Sequence, residues 1–126
     1  QEHTLCVFKE KCGGVPVLEQ NGDFYSCDHY VDNGHLVGNI MAGSIAGYLN
    51  SEKQQAFGQQ KYFNLPLFCK NCEVRPMCNG ECPKNRFIKN PDGEEGLNYL
   101  CQGYKYFFNH CLPFINAVGE MWKNQH

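Results

Sequence analysis

Residues 69–86, CKNCEVRPMCNGECPKNR, decide how the rest of the chain is read. They set four thiols within fourteen residues, spaced Cys69-x2-Cys72-x5-Cys78-x3-Cys82, with Pro83 directly after the last. Thiols this dense can pair as disulfides, bind zinc or hold an iron–sulfur cluster. A C-x2-C pair lets two sulfurs converge on one metal centre, which suits zinc and iron alike. The C-x3-C-P ending echoes two-cluster bacterial ferredoxins, in which the Cys before the Pro ligates the other cluster. The echo is partial, because those ferredoxins have x2 where this chain has x5. Two clusters need eight Cys, and the chain has nine. Spacing alone leaves iron–sulfur and zinc level.

At 126 residues the chain has the size of one domain, read here as residues 1–126. A hydrophobic content of 42% supports a core of moderate size. The net charge of -2 gives no general pull towards nucleic acid or anionic lipid, so neither is expected as a partner. No run approaches a membrane span, and residues 1–12, QEHTLCVFKEKC, lack the apolar stretch of a signal peptide. With no initial Met, the chain reads as a piece of a longer protein. The odd Cys count and the missing secretion signal favour a reducing, cytoplasmic setting, where clustered Cys are ligands or catalysts rather than disulfides.

Outward from the Cys-rich stretch, Cys6 and Cys12 bracket a short polar turn, followed by Gly13 and Gly14. Glycines there either let backbone N–H groups approach a ligating sulfur or simply make a turn. VPVLEQNGDFYSC, residues 15–27, predicts a β-hairpin with a type I′ turn at Asn21-Gly22, Pro16 at a strand start or edge, and Cys27 and Asp28 at its end. Residues 28–43 read as loop. Ser44 is expected to cap a short helix over 45–49, and Ser51 with Gln54 forms a capping box for a helix towards Tyr62, weakened by Gly58. Leu65-Pro66 stops that helix. Residues 90–96 form a turn, and helical spacing resumes at Leu97, is interrupted by Pro113, and returns at Phe114, Val118, Met121 and Trp122. The expected class is α+β, a hairpin with peripheral helices around a Cys-rich centre.

The whole Cys pattern runs Cys6-x5-Cys12-x14-Cys27, a gap of forty-one residues, then the four-Cys stretch, then x18 to Cys101. With NGDFYSCDHYV, VGNI and FGQQKYFNLPLFCKNCEVRPMCNGECPKNRF between and around these Cys, it resembles the SPASM domain of radical SAM enzymes, above all the anaerobic sulfatase-maturating enzymes. The resemblance spans Cys6 to Tyr104. One departure is Glu81, where many relatives carry a second Gly; altered loop geometry with ligation kept is the expectation.

The resemblance implies two auxiliary [4Fe-4S] clusters. Cys6, Cys12, Cys27 and Cys82 would hold the first, and Cys69, Cys72, Cys78 and Cys101 the second. It also implies an N-terminal barrel in cis that binds S-adenosylmethionine and a third cluster through C-x3-C-x2-C. That motif is absent here, since Asn85 stands where its last Cys would be. The family chemistry is oxidation of a Cys or Ser of a sulfatase polypeptide to Cα-formylglycine, and Asp28 matches the family's proposed base. Its alternative is a strand-end Asp satisfied by backbone N–H groups. His29 and Tyr30 either line that pocket or pack. Cys111 has no ligand role in the pattern and is expected as a buried thiol. His3, His35, His110 and His126 show no metal-ligand pairing, and Lys84 and Arg86 are expected to face water, with an acidic partner as the alternative. Two other readings stand beside this one. One is a SPASM domain of another peptide-modifying radical SAM enzyme, and the other is a zinc-ribbon-like binding module, with zinc, disulfides or bare thiols in an air-exposed fragment.

Overall fold

The computed structural model describes residues 3–126, so the signal-peptide reading of residues 1–12 falls partly outside it, on Gln1 and Glu2. Three strands, β1 (Val17–Leu18), β2 (Asp23–Tyr25) and β3 (Leu36–Asn39), form an antiparallel sheet in that order. Val17 faces Tyr25 and Phe24 faces Gly38, with a bulge between Phe24 and Tyr25. The expected hairpin is present, but its turn is not type I′. That turn needs two left-handed residues, and here only Gly22 is left-handed, at φ 88°. The Asn21 side chain accepts a hydrogen bond from Asp23 N at 3.0 Å, the local bond that an Asn offers a turn. Gly22 N donates to Glu19 O and Glu19 N to Asp23 O, both at 2.9 Å, which closes a three-residue loop.

The stretch expected as loop, residues 28–43, contains β3. All four of its residues are half-buried, so it lacks the alternation that marks a strand in sequence. A Cβ on Gly38 would collide with the Tyr48 ring, and the Tyr48 hydroxyl donates to Asn39 O at 2.7 Å. Helix α1 (Ile45–Leu49) thereby closes over the sheet, with Tyr48 against buried Phe24 at 5.6 Å between centroids.

Helix α2 (Glu52–Phe63) starts at the predicted cap, Ser51 Oγ accepting from Gln54 N at 3.2 Å. The capping box is only half formed. The Gln54 side chain turns away from Ser51, and its Nε2 donates to Gly13 O at 3.0 Å and to Ser26 O at 3.1 Å. One buried amide thus ties together the chain beside Cys12 and the chain beside Cys27. Gly58 weakens the helix locally but has a positive use. A Cβ there would lie 2.6 Å from Cys12 O, and Cys12 N donates to Gly58 O at 3.0 Å. Only a residue without a side chain lets the Cys12 segment lie on the helix backbone.

The Cys-rich stretch holds two single-turn helices, α3 (Leu67–Lys70) and α4 (Arg75–Cys78). A second hairpin follows, β4 (Ile88–Lys89) with β5 (Glu95–Leu97). Leu97 therefore ends a strand, and helix α5 (Cys101–Gln125) begins four residues later than the helical spacing suggested. Helix α5 also runs through Pro113 without a break. The proline removes one N–H bond, and the turns on either side keep theirs. Phe108 anchors the helix, 8% exposed and packed edge-on against Phe8 at 5.6 Å.

The apolar core is small: Leu65, Cys69 and Leu97, flanked by Tyr62, Phe68 and Cys101. The accessible surface is 8527 Å², against about 6,800 Å² for a compact monomer of this mass. Among the described residues, two of the seven buried hydrophobic side chains of this α+β fold are thiols, Cys69 and Cys82. Gly58→Ala is expected to destabilise the protein by about 1–3 kcal/mol, since the clash is with backbone. Gly103→Ala, on α5 with open space at its Cβ, should be neutral or stabilising by up to about 1 kcal/mol. Thermal unfolding of the two variants checks this.

Candidate metal centre

All nine cysteines are free thiols, and eight of them fall into two groups of four. Cys69, Cys72, Cys78 and Cys101 line one small, partly enclosed cavity, walled by Phe68, Val74 and Leu97. Burial pushes the Cys69 thiol up to about 11, and the sulfurs of Cys101, Cys78 and Cys72 push the same way. Burial likewise raises Cys78 and Cys101, and the Cys72 sulfur pushes both the same way. Helix α3 delivers Cys69, the turn after it Cys72, α4 Cys78 and the start of α5 Cys101.

Cys6, Cys12, Cys27 and Cys82 make the other group. Burial raises Cys12, with Cys82 and Cys6 adding their charge, and burial raises Cys27 to about 11, with Asp28 and Cys12 adding theirs. Burial raises Cys82, and Glu81 and Cys6 act in the same sense. Tyr30 lies against this group; burial and the sulfurs of Cys82, Cys12 and Cys27 push its phenol up to about 12.

Only three residues separate Cys78 of one group from Cys82 of the other. All three are left-handed: Asn79 at φ 47°, Gly80 at 72° and Glu81 at 54°. Glu81 thus adopts a left-handed backbone that a Gly takes without strain. A left-handed residue with a side chain costs about 1–2 kcal/mol, and runs of them are rare. The compensation comes from Arg86. Its Nη2 donates to Asn79 O at 2.9 Å and Glu81 O at 3.2 Å, its Nε to Gly80 O at 3.0 Å, and its Nη1 to Lys61 O at 2.8 Å. The expectation that Arg86 faces water is therefore corrected: a guanidinium fork that meets three turned carbonyls is a structural clamp. Lys84 is exposed, with Nζ 4.8 Å from the centre of the Tyr30 ring.

Lys61 is 1% exposed and donates to Cys6 O at 3.0 Å and Val7 O at 2.8 Å. Among the described residues, neither Lys61 nor Arg86 has a carboxylate within 4.0 Å. Among the described residues the one buried acid, Glu81, is held instead by the amides of Asn85 and Asn98. Burial lowers the pKa of both Lys61 and Arg86, and the nearby Cys sulfurs, as thiolates, oppose that. Buried cations without counter-charge are costly. A thiolate-ligated iron–sulfur cluster is an anion, so two sets of four thiols beside two unpaired cations fit such groups well.

Asp28 is exposed, and the Cys27 thiol donates to it at 3.4 Å. His29 sits closer to the sulfurs than packing required: its N–H donates to Cys27 Sγ at 3.5 Å, and its Nδ1 lies 3.6 Å from Cys82 Sγ. His35 pairs with Asp32 at 2.7 Å and His3 Nε2 meets Pro76 O at 2.9 Å, while His110 and His126 stack on Tyr106 and Trp122. Cys111 is half-buried rather than buried, on an α5 face that is largely open. Sequence reasoning missed Lys61, Arg86 and the bridging role of Gln54, because each acts on backbone carbonyls of residues distant in sequence or turned by a loop. Cys111→Ala is expected to leave iron and sulfide per chain unchanged and to shift stability by no more than about 1 kcal/mol. Metal analysis and thermal unfolding check both parts.

The family model for SPASM, an iron–sulfur cluster-binding domain, matches residues 12–73. A serine-type anaerobic sulfatase-maturating enzyme of Bacteroides thetaiotaomicron is 46% identical over 125 residues, 99% of this chain and 30% of that protein. A cysteine-type anaerobic sulfatase-maturating enzyme of Clostridium perfringens is 32% identical over 119 residues, 94% of this chain and 32% of that protein. The solved structure of native anSMEcpe with bound AdoMet and Cp18Cys peptide matches with a TM-score of 0.74 and 30% identity, over 94% of this chain and 32% of that one. The chain thus spans about a third of the length of these relatives. Among the described residues no helix is long and apolar enough to cross a membrane. Cysteine pattern, fold and comparisons agree that the chain belongs to the SPASM family of iron–sulfur cluster-binding domains.

Proposed function

We propose that residues 1–126 are one domain, the auxiliary-cluster and substrate-binding part of a radical SAM enzyme that oxidises a Cys or Ser of a sulfatase polypeptide to Cα-formylglycine. The observation that carries this reading is the grouping of eight thiols into two sets of four. Cys6, Cys12, Cys27 and Cys82 hold one [4Fe-4S] cluster, and Cys69, Cys72, Cys78 and Cys101 the other. S-adenosylmethionine and a third cluster belong to an N-terminal barrel in cis, since this chain lacks the C-x3-C-x2-C motif. Thiolate ligation of this density suits the reducing cytoplasm.

When bound, the clusters supply one-electron redox chemistry. The chain's own residues do the rest. Eight thiolates saturate both sites and leave the substrate to other groups. Once Cys27 is a ligand it has no proton to donate, so the Asp28 carboxylate loses its 3.4 Å partner and faces solvent free to accept a proton. Asp28 then takes the thiol or hydroxyl proton of the target residue as general base. Its backbone neighbour Cys27 keeps it fixed, and the His29 N–H at 3.5 Å from that sulfur stabilises the same turn. The higher identity to the serine-type relative, 46% against 32%, puts a Ser target first in any assay.

Anaerobically reconstituted chain is expected to hold about eight iron and eight sulfide. Cys101→Ala should lose about half of each, and equal damage to both sites in a folded variant would contradict the grouping. In the full-length enzyme, Asp28→Asn should keep its clusters and still cleave S-adenosylmethionine. Its formylglycine formation on a sulfatase-derived peptide should fall by a factor of about 10² to 10⁴. Near-parental formylglycine from a fully loaded variant removes Asp28 from the role of base.

A further inference from the structure

Three charged groups lie beside the thiol groups, and nothing in the ligation scheme uses them: Lys61, Arg86 and Glu81. They are linked. Arg86 Nη1 donates to Lys61 O at 2.8 Å, Lys61 Nζ donates to Cys6 O at 3.0 Å, and Arg86 Nη2 and Nε hold the carbonyls of Asn79, Gly80 and Glu81. The chain of contacts therefore runs from the Cys6 turn, through α2, to the three residues that separate Cys78 from Cys82.

We infer that Arg86 is the positioning residue of this crossing, clamping the left-handed turn that sends Cys82 to the first site, and that the charges of Arg86, Lys61 and Glu81 set the reduction potentials of the two clusters. The inference rests on the two-cluster reading. Its geometric basis is the fork of Arg86, whose donors match three successive carbonyls that no regular helix or strand would turn to one point. Its electrostatic basis is unequal reach. Arg86 is bonded to the carbonyls of residues 79–81, which lie between Cys78 of one site and Cys82 of the other, whereas Lys61 Nζ meets the backbone of Cys6 and Val7, at the first site. Glu81 sits in the left-handed turn between Cys78 and Cys82, one in each site, and directly precedes Cys82. A fixed positive charge stabilises the more negative, reduced cluster and raises its potential; a fixed negative charge lowers it.

The test is a potentiometric titration, followed by electron paramagnetic resonance, of the anaerobically reconstituted full-length enzyme. The signal lost in Cys101→Ala identifies the second cluster. Lys61→Met should lower the potential of the first cluster and leave the second unmoved. Arg86→Gln should lower both. Glu81→Gln, nearly isosteric and able to keep its Asn85 and Asn98 contacts, should raise both. Arg86→Lys keeps the charge but not the fork, so it should hold the potentials near the parent's while the first site loses iron. A purely structural Arg86 would change iron content in Gln and Lys variants alike without moving the potential of the clusters that assemble. Unmoved potentials in loaded Lys61→Met, Arg86→Gln and Glu81→Gln, or equal shifts of both clusters in Lys61→Met, overturn the inference. If Lys61→Met and Arg86→Gln fail to load, Glu81→Gln decides, and no rise there overturns it. A parent enzyme holding one cluster or none sinks the two-cluster reading itself; a parent holding both with unmoved variants sinks only this inference.

Discussion

Between Cys78 and Cys82 the backbone makes three left-handed residues in succession, and on that turn the separation of the two thiol groups depends. A right-handed continuation of α4 would carry Cys82 along the helix axis, one turn on from Cys78 and on the same face. Both thiols would then compete for one site. The reversal at Asn79, Gly80 and Glu81 instead points Cys82 at Cys6, Cys12 and Cys27, which lie far away in sequence. Strain of this kind persists only where the surroundings over-determine it. Here the surroundings are the Arg86 fork, the Asn79 amide donating to Phe8 O at 2.7 Å, and the Glu81 carboxylate held by two Asn amides.

The same economy of packing runs through the rest of the fold. An apolar core built on Leu65, Cys69 and Leu97 is too small to order 126 residues alone, and the accessible surface exceeds that of a compact monomer of equal mass. Order comes instead from polar side chains that reach backbone: Gln54 between Gly13 and Ser26, Lys61 to Cys6 and Val7, Arg86 to the crossing turn. Each of these supports a segment that carries a thiol. Lys61 and Arg86, with no carboxylate within 4.0 Å among the described residues, and the thin core point the same way: the centre has room for the negative charge that eight thiolates and their metal would bring.

Much of the plan was legible in sequence because it is local. Ser44 and Ser51 announce their helices through hydroxyls that bond three residues on, and Asn21-Gly22 announces a hairpin even though the turn type differs. The Cys spacings carried the family resemblance. What stayed hidden depends on contacts across the chain. Strand β3 has no alternation to display, because α1 covers one side of it through Tyr48 while β2 pairs its edge. Leu97 shares the spacing of the following helix yet ends in a strand, since β4 offers it a partner. Gly58 looks like a helix defect until Cys12 is seen lying on it, and Arg86 looks like a surface cation until the turned carbonyls of residues 79–81 are in view.

The central claim is that two metal clusters occupy the two thiol groups, with the chain crossing between them at residues 79–81. X-ray diffraction from anaerobically reconstituted crystals, recorded on both sides of the iron absorption edge, tests it most directly. The account predicts two separate iron peaks of equal weight, one bounded by Cys6, Cys12, Cys27 and Cys82, the other by Cys69, Cys72, Cys78 and Cys101, with Cys111 bonded to neither. A single iron peak, an anomalous signal at the zinc edge instead, or Cys82 ligating the same centre as Cys78 would contradict it.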